Sequence, residues 1–114
     1  MTGLDTLLKL IEQYVAYCCS AETPPRVSEL AQLIGLSACT LVRQFRREYP
    51  LTVAEILKET QLAHAMEMLE TSDLPTTKVA YACGYGTRRT FFRAFQRATG
   101  MTPAEYREIA RQSD

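Results

Sequence analysis

Residues 80–105 read AYACGYGTRRTFFRAFQRATGMTPAE, and residues 31–55 read AQLIGLSACTLVRQFRREYPLTVAE. The two stretches are copies of one pattern. Ala31-x3-Gly35, Leu41-x-Arg43-x-Phe45 and Thr52-x-Ala54-Glu55 return as Ala80-x3-Gly84, Phe91-x-Arg93-x-Phe95 and Thr102-x-Ala104-Glu105. The offset is 49 residues at the alanine and glycine and 50 thereafter, so the second turn carries one extra residue. An alanine lets one helix approach another closely. A glycine four residues later supplies the positive φ of a tight turn. A second helix then follows with leucine or aromatic residues on its inner face. That is a helix-turn-helix, and it occurs twice.

Outward from the repeat, the remaining segments also read as helices. Leu4, Leu7, Leu8, Ile11, Val15 and Cys18 recur at three- and four-residue steps, and Thr2 with Asp5 forms a capping-box pattern before them. Pro24-Pro25 ends that helix. Ser28 is expected to cap a helix through Ile34, and Ser37 the first reading helix, about residues 38–49 and closed by Pro50. A connecting helix over about residues 51–70 opens on a Thr52–Glu55 box, with Ile56, Leu57, Leu62, Ala63, Ala65, Met66 and Leu69 as its apolar positions. After the loop 71–75, helices are expected over about 77–83 and 87–99, the latter the second reading helix, and after Thr102-Pro103-Ala104-Glu105. No run alternates like a strand, so the fold class is all-α. The expected organisation is a first unit over 1–50, a connector over 51–70 and a second unit over 71–114.

The chain has 114 residues, 46% hydrophobic, with 13 basic and 13 acidic side chains. That suits one small domain with a real core and excludes a large multidomain enzyme or a wholly disordered chain. Zero net charge argues against indiscriminate coating of nucleic acid, but the charge is unevenly placed. Residues 76–100 carry Lys78, Arg88, Arg89, Arg93 and Arg97 and no acid, whereas residues 51–75 carry five acids against Lys58. Positive charge therefore collects on the reading helices.

Cys18, Cys19, Cys39 and Cys83 contain no C-x-x-C pair, and His64 is the single histidine, so neither a metal site nor a disulfide framework is expected. Cys18–Cys19 is the pair that a redox role would use. No catalytic dyad, paired carboxylates or glycine-rich phosphate loop suggests an enzyme, and no cofactor is expected. The absence of a leader pattern and of an apolar run near the ~20 residues of a membrane span points to a cytoplasmic protein that does not associate with membranes.

In a helix-turn-helix the second helix turns its outer face to the DNA major groove, with its N-terminal residues nearest the base edges. In the first unit that face offers Cys39, Thr40, Val42, Arg43, Arg46 and Arg47; in the second, Arg88, Arg89, Thr90, Arg93 and Arg97. Arginine reads guanine O6 and N7 through its planar fork, and small apolar groups meet thymine methyls. Ser37, Arg46, Arg47, Lys78, Thr87 and Arg97 are expected at phosphates. Phe45, Phe91, Phe95 and Tyr106 are at inward spacing and are expected in the core, with the methionines as core filling. A connecting helix rising ~1.5 Å per residue spans roughly 28 Å over 19 residues, close to the ~34 Å between successive major-groove faces.

The pattern Gly84-Tyr85-x5-Phe91-x-Arg93-x-Phe95-x4-Gly100-x-Thr102-Pro103-x2-Tyr106-Arg107, with the unequal turns, closely resembles the DNA-binding domain of the AraC/XylS family of bacterial transcription regulators. The resemblance covers about Ser28 to Arg107 and the helix before it. It implies seven helices and two helix-turn-helix units joined by a long helix. It also implies monomeric binding to an asymmetric promoter site of about two turns. Carried over by position, base contacts fall on Cys39, Thr40, Val42 and Arg43, and on Arg88, Arg89, Thr90 and Arg93. Family members activate, less often repress, and touch RNA polymerase; most also carry an effector-sensing or dimerisation domain. The sequence departs from the family at Pro50, where glycine is usual, at Gln61, where a basic residue is usual, and at Phe92, where a small polar residue is usual. The alternative reading is a helix-turn-helix interaction module that has lost specific DNA binding.

Overall fold

The computed structural model describes residues 3–112. They form α1 (Gly3–Ser20), α2 (Val27–Ile34), α3 (Ala38–Glu48), α4 (Val53–Thr71), α5 (Thr76–Ala82), α6 (Arg88–Thr99) and α7 (Pro103–Gln112), with no strand among the described residues. The expected Thr2–Asp5 box and the Leu4 side chain lie outside what is described.

Ile11, Val15 and Cys18 of α1 are buried as their spacing predicts, and Tyr14 and Cys19 join them. α1 packs along α4. On α4 the buried row is Val53, Leu57, Gln61, Ala65 and Leu69, each four residues from the last, with Ile56 beside it. Ala63, expected inside, is exposed because it sits two residues out of this row. Gln61 takes the middle of the row and is satisfied there, its Nε2 donating to the Cys83 carbonyl at 2.9 Å.

Caps set most of the boundaries. Ser37, Thr52 and Thr87 each accept from the backbone amide three residues on. Glu55 returns a bond to the Thr52 amide (3.1 Å), and Glu105 does the same for Thr102 (2.9 Å). Ser28, however, is not the α2 cap. Arg26 holds that position without a side-chain bond, and Tyr14 supplies the contact instead. The Tyr14 hydroxyl accepts from the Arg26 amide (2.9 Å) and donates to Glu29 Oε1 (2.8 Å). A phenol from α1 is thus inserted between the N-cap amide and the N3 carboxylate that would otherwise pair directly.

Hydrogen bonds from the Thr52 and Thr102 amides hold the Glu55 and Glu105 carboxyls below their ordinary value of 4.5. A carboxyl depressed in the folded state contributes stability above its unfolded value and loses it as pH falls through the folded one. Replacing both by glutamine keeps the bonds and removes the titration. Between pH 5 and pH 3 the urea midpoint of that double variant should therefore fall less than that of the wild type.

The two reading helices bury matching pairs, Leu41 and Phe45 on α3, Phe91 and Phe95 on α6. Phe91 and Phe95 meet edge to face at 5.7 Å, and Phe95 meets Tyr106 of α7 at 5.4 Å. Tyr49, half-buried just after α3, rests on Phe45 at 5.2 Å. α7 is fastened to the end of α4 by cations on carbonyls. Arg107 Nε donates to Leu69 O at 3.0 Å, and Arg111 Nη2 to Ser72 O at 2.8 Å while pairing with Asp73 at 2.7 Å. Both place positive charge at the negative end of the α4 dipole.

Candidate nucleic-acid interface

The turn before each reading helix is built from local bonds. Gly35 and Gly84 both adopt positive φ, +86° and +81°. The amide of the residue just after each glycine closes the turn, Leu36 N–H onto Ala31 O (2.9 Å) and Tyr85 N–H onto Ala80 O (3.0 Å). The extra residue of the second turn is absorbed by Gly86, also at φ +81°.

Opposite the buried pair of α3 lie Cys39, Val42, Arg43, Arg46 and Arg47, all exposed, and with Ala38 they line one open concavity. Thr40 is half-buried, and its Oγ1 accepts from the Ser37 hydroxyl at 2.8 Å. On α6, Arg88, Arg89, Thr90, Arg93 and Arg97 are exposed opposite Phe91 and Phe95. Thr87 and Thr90 repeat the hydroxyl pair at 2.8 Å. Ser37 and Thr87 are exposed but committed to their caps; Lys78 is exposed on α5. Gln96, given no role by the sequence, and Phe92, marked there only as a departure from the family pattern, share these faces. Gln96 is exposed one turn beyond Arg93, at the position Arg46 holds in the first copy. Phe92, half-buried, stands where Val42 stands and lies under Arg88, whose guanidinium carbon is 4.1 Å from the ring centroid. The internal repeat is the signal that could have found both.

The cations are not equivalent. Arg46 and Arg47 on α3 and Arg97 on α6 occupy last turns, where they complement the helix dipole whatever else they do. Arg88 and Arg89 occupy the first turn of α6, which has no acid to offset them. There they oppose the dipole, at a cost of a few tenths to about 1 kcal/mol each. A local arrangement that works against stability is expected at functional positions. An anion brought to that helix end would remove the conflict.

Cys39 is the one exposed cysteine; Cys18, Cys19 and Cys83 are buried, and the Cys19 thiol points at the Cys83 carbonyl at 3.7 Å. No group of three or more histidine, cysteine or acidic side chains is placed to hold a metal among the described residues. Nor is any helix among them long and apolar enough to cross a membrane.

A family model described as a helix-turn-helix domain matches residues 30–109. The chain is 33% identical over 114 residues to the HTH-type transcriptional activator RhaR of Salmonella heidelberg (strain SL476), covering 99% of this chain and 39% of that protein. It thus spans about two fifths of the length of the curated relatives it matches. Among solved structures it is similar to the C-terminal domain of AraT, a response regulator from Geobacillus stearothermophilus (TM-score 0.79, 24% identity, 95% of this chain and 88% of that one). It is also similar to the DNA-binding domain of the global transcriptional factor AdpA, solved with a target DNA (TM-score 0.76, 28% identity, 90% and 94%).

Proposed function

This chain belongs to the AraC-type helix-turn-helix family, and we propose that it regulates transcription by binding one specific double-stranded DNA site through α3 and α6 together. The observation that carries this is the outer face of α6. Four exposed arginines stand there without an acid, two of them against the helix dipole. Such a face has its energetic reason in an anionic ligand. Arg93 and Arg43 are the central base readers, with Cys39, Thr40 and Val42 beside Arg43, and Arg88, Arg89 and Thr90 beside Arg93. Arg46, Arg47, Lys78 and Arg97 take phosphates, and Ser37 and Thr87 join them from the helix caps.

Dimensions support simultaneous engagement. α4 has 19 residues and the described chain is 42 Å along its longest axis, comparable with the ~34 Å between groove faces. In functional terms residues 1–50 and 71–114 are two reading units and residues 51–70 their spacer. RhaR is a transcriptional activator by name, which favours activation, with RNA polymerase as the protein partner and the nucleoid as the place of work.

The test is selection from a randomised duplex pool at low salt. An asymmetric consensus of about two helical turns is expected; recovery of no sequence overturns the proposal. Affinity for the selected duplex should fall with salt on a double-logarithmic slope of about −4, one counterion for each of the four phosphate-directed cations, and removing any one should flatten the slope by about 1.

A further inference from the structure

We infer that Phe92 is a specificity-determining residue that acts through Arg88, holding the guanidinium flat and presented for one base. The inference rests on α6 being a reading helix. Arg88 is the first residue of α6, and Phe92 lies one turn on, on the same flank. The guanidinium carbon is 4.1 Å from the ring centroid, well within cation–π range.

The ring is itself anchored. It meets Phe91 edge to face at 5.9 Å, and Phe91 is fully buried against Tyr85 (5.0 Å) and Phe95 (5.7 Å). Arg88 is exposed and would otherwise sample many rotamers, which binding would have to freeze. A guanidinium lying over a ring is restrained without spending a donor, because a planar cation that stacks keeps all five N–H groups in its own plane. A carboxylate partner would fix the arginine only by occupying the fork that reads guanine. The first unit supplies the contrast. Ala38 and Val42 stand at the matching positions, so the platform belongs to the second unit alone.

Base preference of the full chain is measured against every single-base variant of the selected duplex, alongside thermal melting. Phe92→Leu keeps an apolar side chain on Phe91 and removes the π face; Phe92→Tyr keeps the face. Phe92→Leu should weaken binding to the selected duplex about two- to fivefold, the range of an exposed cation–π contact. It should also level preference at the position that Arg88→Ala levels, and nowhere else. Phe92→Tyr should behave as wild type, and Phe92→Leu should add nothing to Arg88→Ala. An even loss at all positions, an unchanged preference, an additive double variant or an altered preference in Phe92→Tyr each overturns the inference. If Phe92→Leu melts too early to assay, Phe92→Tyr and Arg88→Ala still decide it, because the first must preserve what the second removes. A wild-type chain that selects no sequence overturns the proposed function itself, a separate result from Phe92→Leu binding with unaltered preference.

Discussion

Arg93→Ala is expected to cost about 1–3 kcal/mol of binding to the selected duplex and to level the preference at a single base pair. Arg93 is exposed, and its helix turns Phe91 and Phe95 into the core, leaving it on the opposite, outward face. α6 carries no acid in its first turn to engage the arginine before DNA arrives. Its removal should leave folding untouched, since it fills no cavity and caps no helix; an unchanged melting temperature is part of the expected result. Arg43→Ala should produce the same kind of loss at a different base pair, near the other end of the site, because α3 and α6 stand at opposite ends of α4 in the chain. Two readers so far apart should act independently, with the double variant losing the sum of the single losses. Levelling at the same position by both substitutions, or an equal loss on every sequence, would mean that these arginines attract phosphate and do not read bases.

The two helix-turn-helix units, with α3 and α6 as their second helices, are legible in the sequence because their signals are local. Ser37, Thr52, Thr87 and Thr102 announce helix starts through bonds to an amide three residues away. Gly35 and Gly84 announce turns through their own backbone freedom. Paired inward residues four apart announce which face is left for a ligand. What was hidden depends on residues distant in sequence. Gln61 is marked in the sequence only as standing where a basic residue is usual, and its place becomes clear when Cys83, 22 residues on, offers a carbonyl inside the core. Ser28 reads as a cap until Tyr14 arrives from another helix. Arg107 enters the sequence pattern without a role and Arg111 not at all; the packing of α7 against the end of α4 is what makes them fasteners. Phe92 was hidden in a different way. Family resemblance marked it as unusual, but only the contact with Arg88 gives the substitution a meaning.

Gly84→Ala should be far more damaging than Gly35→Ala, although the two glycines hold equivalent positions in the repeat and nearly equal φ. At Gly35 an added methyl meets nothing within 4 Å, so alanine there costs only the left-handed backbone, about 1–2 kcal/mol. At Gly84 the methyl would sit 2.2 Å from the Thr23 carbonyl oxygen and 2.7 Å from its carbon. That obstacle is backbone and is held from several sides. The Thr23 amide donates to Cys18 O at 2.9 Å, Glu22 before it is already at φ +56°, and two prolines follow it. Gly84 cannot retreat cheaply either, because the adjacent Cys83 carbonyl anchors Gln61. Strain and overlap together should cost on the order of 4 kcal/mol. With an m-value of about 1–3 kcal/mol/M, that moves the urea midpoint down by roughly 2 M, against less than half as much for Gly35→Ala. Equal losses in the two variants would mean that φ alone decides both sites and that the close approach to Thr23 does not hold in solution. A much larger loss at Gly84 would identify the loop between α1 and α2 as the brace that sets the second turn, and with it the direction in which α6 presents its arginines.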